Sequence, residues 1–245
     1  MPATPAWPPA STPRLFVDVP LDSGGAITLD SGQSNYLANV MRLAPGDPVR
    51  LFDDRSGEWV ARIGDVAKRA VTVLIGERLR EREQVPDLWL LFAPIKKGRI
   101  DWLIEKATEL GVARLQPVIT RRTIVDRLNL DRLRAHMIEA AEQCDRTALP
   151  ILSEPMKLDA AIRGWTADRA LIFADEAGGQ RLTERAGAGP AAILIGPEGG
   201  FTDEERQAIR AVEGACPVSL GPRILRADTA AAAAIAVWMA QAGDW

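Results

Sequence analysis

The sequence predicts a two-part protein, a small all-β domain followed by a larger α/β domain. Residues 14–79 carry short apolar runs broken by turn residues, and residues 88–245 alternate apolar runs with stretches at helical spacing. The charged, proline-ended segment Arg80-Glu81-Arg82-Glu83-Gln84-Val85-Pro86 separates them and reads as a linker. With 245 residues, 47% of them hydrophobic and 26% charged, the chain can bury a real core, which excludes wholesale disorder and a polytopic membrane protein.

The opening residues 1–13 are rich in Pro, Ala, Ser and Thr with neither a basic start nor a long apolar run, so a loose tail is expected and not a signal peptide. Strands are expected around Leu15-Phe16-Val17, Ala26-Ile27-Thr28-Leu29, Val49-Arg50-Leu51-Phe52, residues 59–63 and residues 71–75. Pro45-Gly46-Asp47 and Asp53-Asp54-Arg55-Ser56-Gly57 supply turns, and one short helix is expected over 34–41, giving a small barrel or curled sheet. Beyond the linker, residues 88–95 read as a strand and Ile100, Leu103, Ile104, Ala107 and Leu110 as one helix face stopped by Gly111. Residues 115–119 form the next strand, and Leu130, Leu133, Met137, Ala140, Ala141 and Cys144 share a face of the following helix. The apolar runs 170–174, 191–195 and 217–220 lack polar alternation, as strands of a parallel sheet buried on both faces do. Residues 230–240 are too short to span a bilayer and read as an alanine-rich helix.

Function classes narrow quickly. Cys144 and Cys216 are the only cysteines and His136 the only histidine, so a disulfide scaffold, a zinc site and a histidine-dependent triad are disfavoured and no metal is expected. Two cysteines fit a reducing cytoplasm. A net charge of -3 gives no global field for nucleic acid, so RNA binding would need local basic patches.

Two loops concentrate the chemistry. The run Ile195-Gly196-Pro197-Glu198-Gly199-Gly200 breaks a buried strand before a helix whose Thr202 and Glu205 have capping-box spacing. Glycines outside the carboxyl end of a parallel strand let a ligand approach the backbone. Neither nucleotide-phosphate fingerprint is present. The second loop, Leu220-Gly221-Pro222-Arg223-Ile224-Leu225-Arg226-Ala227-Asp228-Thr229, also links a strand to a helix, capped by Asp228 or Thr229. Together they make a pocket whose apolar and backbone groups could hold an adenine ring while Glu198 or Asp228 faces a cation.

These two loops, with Glu139-Ala140-Ala141-Glu142-Gln143-Cys144-Asp145-Arg146, Lys106-Ala107-Thr108-Glu109-Leu110-Gly111-Val112 and Val40-Met41-Arg42-Leu43-Ala44-Pro45-Gly46-Asp47, resemble the RsmE family of ribosomal RNA uridine-N3 methyltransferases. The resemblance covers nearly everything from Arg14 onward. It implies a PUA-like β-barrel over 14–80 that binds RNA, and a SPOUT-type α/β methyltransferase domain over 87–245. That domain would thread a C-terminal trefoil knot around S-adenosyl-L-methionine and act as a homodimer on small-subunit (16S) ribosomal RNA, without a membrane. It places Ile195, Gly196, Pro197, Gly199, Gly200, Leu220, Gly221, Ile224, Leu225 and Thr229 around the cofactor. The sequence departs from the family in its alanine-rich start to the last helix, which leaves any threonine role to Thr229 alone.

Methylation at N3 needs a proton acceptor and stabilisation of charge developing on the uracil. Glu198 is the first candidate acceptor and Asp228 the second, with helix capping as the structural alternative, and Arg226 is the candidate for offsetting charge or binding a phosphate. N3 lies on the Watson–Crick edge, so the target must be unpaired and its flanks held through phosphates. Lys96, Lys97 and Arg99 after one strand and Arg121 and Arg122 after the next are the candidate RNA contacts, with Arg14, Arg42 and Arg146 as additions. His136 reads as a solvated face residue and Cys144 as small core filling. The alternatives are a SPOUT ribose 2′-O-methyltransferase acting on transfer or ribosomal RNA, and a non-catalytic RNA-binding protein.

Overall fold

A computed structural model describes residues 7–9, 11–67, 70–125, 127–184 and 187–245. The chain forms two compact units, Met1–Gln84 with Ala141–Ala148, and Val85–Ala140 with Leu149–Trp245. Of the expected tail, residues 1–6 and 10 lie outside the described residues. The rest of it is not loose throughout, because Thr12 is buried and the Trp7 ring lies 4.4 Å beneath the Arg62 guanidinium.

The first unit is a five-stranded sheet of β1 (Arg14–Phe16), β2 (Ala26–Thr28), β3 (Pro48–Phe52), β4 (Glu58–Ala67) and β5 (Ala70–Arg80), in the order β1-β3-β4-β5-β2. The path is open, since β1 and β2 are its edges, and register shifts between β4 and β5 bend it. Inward alternation along β3, β4 and β5 buries Val49, Leu51, Ala61, Ile63, Val71 and Val73 around Leu37. The expected helix starts earlier, as α1 (Ser31–Asn35), because Asp30 accepts from the Gln33 amide and caps it. It then widens into a π-helical turn, Tyr36–Val40, and leaves Arg42 left-handed at φ 56°.

Arg14 and Arg146 are corrected here. Arg14 donates to Glu58 at 2.5 Å and to the carbonyls of Ala141 and Arg146 at 2.6 Å each. Both arginines are buried, at 7% and 4% exposure, and burial pushes both pKa values down, so they hold this unit together and are withdrawn from the RNA contacts. Around them Glu142 accepts from the Phe16 amide, and Glu83 accepts from the amides of Thr147 and Ala148 at 2.7 and 2.9 Å. The Glu142-Gln143-Cys144-Asp145-Arg146 motif is thus a structural clasp. Cys144, expected as core filling, is exposed there.

The second unit is an eight-stranded sheet whose strands pair in parallel throughout. Its elements are β6 (Leu88–Phe92), α2 (Arg99–Glu109), β7 (Arg114–Ile119), α3 (Leu130–Gln143), β8 (Ile151–Leu152), β9 (Met156–Lys157), α4 (Leu158–Arg163) and β10 (Ala170–Ala174). There follow β11 (Gln180–Arg181), a 3-10 turn (Leu182–Glu184), β12 (Ala191–Ile195), α5 (Asp203–Arg210), β13 (Ala215–Ser219) and α6 (Ala227–Ala242). The order is β11-β13-β10-β12-β6-β7-β8, with β9 beside β7. All of β12 is buried, as a strand covered on both faces must be. Leu91, Phe173, Ala192 and Leu194 pack with Leu158 of α4 and Ile209 of α5, whereas α6 packs on β12, α2 and the 3-10 turn. Gly111 ends α2 at φ 90°, as expected.

Candidate active site

The carboxyl ends of β10, β12 and β13 lie side by side in the sheet, and the loops that leave them enclose a cavity of about 350 Å³. This is where a parallel sheet places its ligands. From the β12 loop, Ile195, Gly196, Pro197, Glu198 and Gly200 line it. From the β13 loop, Leu220, Gly221, Ile224, Leu225 and Arg226 do so.

The β12 loop folds this way for local reasons. The Gly200 amide donates to the Pro197 carbonyl at 2.9 Å, and Gly200 sits at φ 67°, which a side chain adopts only with strain. Thr202 and Glu205 make the expected reciprocal capping box at the head of α5. A Cβ on Gly196 would come within 3.1 Å of the Phe201 ring, and one on Gly200 within 2.5 Å of Glu176 Oε1, so the glycines keep the wall thin. In the β13 loop Gly221 lies at φ 111°, its amide donating to Ser219 Oγ, and Ile224 is 91% exposed at the rim.

Two expected lining residues are not part of the wall. Gly199 faces away, its carbonyl accepting from Arg122 Nη1 at 2.6 Å, and Thr229 is exposed on the second turn-forming position after the true helix start. Neither Asp228 nor Thr229 caps α6, because the helix begins at Ala227 with Arg226 as its N-cap and without a side-chain cap bond. A third loop, after β10, was not anticipated and contributes Asp175, Glu176 and Gly178. Its signal was available in the polar Asp175-Glu176-Ala177-Gly178-Gly179 run following an apolar strand. Asp175 is buried and paired with Arg206 and Arg210 at 3.4 and 2.5 Å.

At the rim, Arg99 binds Asp228 through two hydrogen bonds of 2.6 and 2.9 Å and reaches Glu198 at 3.1 Å. The Arg99 guanidinium holds the Asp228 carboxyl below its ordinary range, and the pair raises Arg99 above its own. Asp228, the second candidate acceptor, and Arg99, a candidate RNA contact, thus form an ion pair at the head of α6. Glu198 keeps its place in the cavity wall. Lys96, Lys97, Arg121 and Arg122 are exposed beyond the ends of β6 and β7, and Arg42 is exposed on the first unit. His136 is not a bare face residue, since its ring nitrogen lies 2.9 Å from Glu105. Among the described residues no cluster of His, Cys, Asp and Glu could hold a metal ion, and no helix is long and apolar enough to cross a membrane.

The model of an RNA methyltransferase domain matches residues 81–239, and that of an RNA methyltransferase PUA domain matches residues 29–76. The ribosomal RNA small subunit methyltransferase E of Rickettsia conorii is 31% identical over 229 residues, covering 91% of this chain and 93% of the relative. The chain belongs to this family of ribosomal RNA small subunit methyltransferases E. The family member of Synechocystis is 33% identical, over 86% of this chain and 71% of its own length. Among solved structures, the family member of Neisseria gonorrhoeae bound to S-adenosyl methionine superposes with a TM-score of 0.88 at 29% identity, covering 96% of this chain and 99% of that one. A putative methyltransferase from Legionella pneumophila in complex with SAM gives 0.87 at 31% identity, with the same coverage.

Proposed function

We propose that this family member transfers a methyl group from S-adenosylmethionine to N3 of a uridine in small-subunit ribosomal RNA. The observation that carries the reading is the cavity at the ends of β10, β12 and β13. Its lining includes Gly196 and Gly200, where a Cβ would press on Phe201 and Glu176, together with the apolar Ile195, Leu220 and Leu225. Those features fit S-adenosylmethionine, with Gly196, Gly200, Leu220 and Leu225 lying against it and the acidic Glu176 and Glu198 suited to its positive charge. The cofactor supplies a methyl group already activated on sulfonium. The chain supplies the rest. Glu198, in the wall and 3.1 Å from Arg99, receives the imino proton directly or through water, and Arg226 at the rim offsets the negative charge left on the uracil. Asp228, whose carboxyl the Arg99 guanidinium holds below its ordinary range, is the weaker base of the two carboxylates.

The larger unit is read as a SPOUT domain with a trefoil knot. In support, β13 is inserted between β10 and β11, which belong to one earlier stretch of chain, and α6 then packs against the 3-10 turn of that stretch and against β12. We further read residues 14–80 as the PUA-like RNA-binding domain and 87–245 as the catalytic domain, working as a homodimer in the cytoplasm. The test is nucleoside mass spectrometry on small-subunit RNA from a strain lacking the enzyme, treated with protein and S-adenosylmethionine. The expected product is 3-methyluridine. A 2′-O-methylated nucleoside, or no transfer, would overturn the assignment.

A further inference from the structure

Arg121 and Arg122 are adjacent and exposed, and as sequence they look interchangeable. The structure separates them. The Arg121 side chain pairs with Glu204 at 3.3 Å, another exposed group. Arg122 turns onto the back of the β12 loop, where its Nη1 donates to the Gly199 carbonyl at 2.6 Å. Its aliphatic stem runs over the same glycine, with Cδ 3.4 Å and Cβ 3.5 Å from where a Gly199 Cβ would stand. Gly196, Pro197, Glu198 and Gly200 face the cavity and Gly199 does not, so Arg122 holds the wall from outside.

The turn that presents Arg122 is itself fixed to that wall. The Thr120 amide donates to Thr123 Oγ1 at 2.9 Å, which closes the turn after β7. Buried Glu205 then joins the two loops, with Oε1 accepting from the Arg121 amide at 2.7 Å and Oε2 from the Thr202 amide at 3.0 Å. A guanidinium carries five N–H donors in a rigid fork, and one of them is on Gly199. Among the described residues the others make no hydrogen bond, and Arg122 is exposed, so they can meet a phosphate.

We infer that Arg122 is a positioning residue that couples RNA to the cofactor wall: an RNA phosphate bound by its outer donors fixes the guanidinium on Gly199 and so tightens S-adenosylmethionine binding. This rests on the function proposed above. Linkage makes the effect mutual, so the cofactor must tighten RNA binding by the same factor.

The experiment is calorimetric titration of S-adenosylmethionine into wild type, R122A, R122K and R121A, each with and without an unmodified small-subunit RNA transcript. Wild type is expected to bind the cofactor about five- to fifty-fold more tightly with RNA, within the usual span of such couplings. R122A should bind it more weakly without RNA and gain nothing when RNA is added. R121A should lose RNA affinity yet keep the wild-type cofactor affinity in the free protein. R122K keeps a charge but not the fork, so it should recover RNA binding without the gain, which separates positioning from charge and serves where R122A melts early. A wild-type gain retained in both R122A and R122K, or no gain in wild type, overturns the inference. Absence of cofactor binding by the folded wild type overturns the underlying function instead.

Discussion

Arg99 draws together three parts of the site, since it stands at the head of α2 and binds Asp228 at the head of α6 and Glu198 in the cavity wall. Asp228→Asn removes the charge that Arg99 answers, and should cost about 1–2 kcal/mol in urea unfolding at neutral pH. The sign of its pH dependence follows from the depressed Asp228 pKa. The unfolded carboxylate takes its proton first, at about pH 4, so the stabilisation is intact above that value and fades as the pH falls through the lower folded pKa. The difference between wild type and variant should therefore shrink on acidification, and a difference that grew would exclude the pair as its source. Gly200→Val forces a β-branched residue to φ 67° and brings its Cβ against Glu176, so it should cost about 1–2 kcal/mol or more and weaken cofactor binding in calorimetry. The glycine was legible in sequence because its turn is local. The burial of Arg14 was not, because its partner carbonyls lie 127 and 132 positions away and no short pattern encodes them.

Elements followed the sequence wherever their signals were short-ranged. The Thr202 capping box, the Gly111 stop and the buried strands β10 and β12 all depend on neighbours within a few residues. The π-helical turn Tyr36–Val40 has no comparable signal, since apolar spacing alone does not distinguish it from α-helix. The two-residue strands β8, β9 and β11 escape for the opposite reason, being too short to show a period. The segment Ala141–Ala148 illustrates a third limit. It takes in the end of α3 and the residues after it but belongs to the first unit, where Glu83 accepts from the buried amides of Thr147 and Ala148 while Thr147 Oγ1 accepts from the Glu83 amide. Glu83→Ala leaves both amides without that partner and should destabilise by about 2–4 kcal/mol. Urea denaturation followed by tryptophan fluorescence measures this, and a loss below 0.5 kcal/mol, about the low end for one hydrogen bond, would remove Glu83 from the clasp.

At the scale of the whole molecule, a net charge of -3 means that attraction to RNA is concentrated in a few places. Neutralising Lys96, Lys97, Arg121 and Arg122 together should make the slope of log K against log salt shallower by up to about 3 for an unpaired strand. An unchanged slope would place the phosphate contacts elsewhere. The order of strands was the least legible property of the chain, because pairing in a parallel sheet joins segments far apart in sequence. The last strand, β13, does not join an edge but fills the gap between β10 and β11. During translation, then, the ribosome must release the final segment before the sheet can be completed. A product cut short ahead of residue 215 would lack both the strand that fills this gap and the loop that brings Leu220, Gly221, Ile224, Leu225 and Arg226 to the cavity.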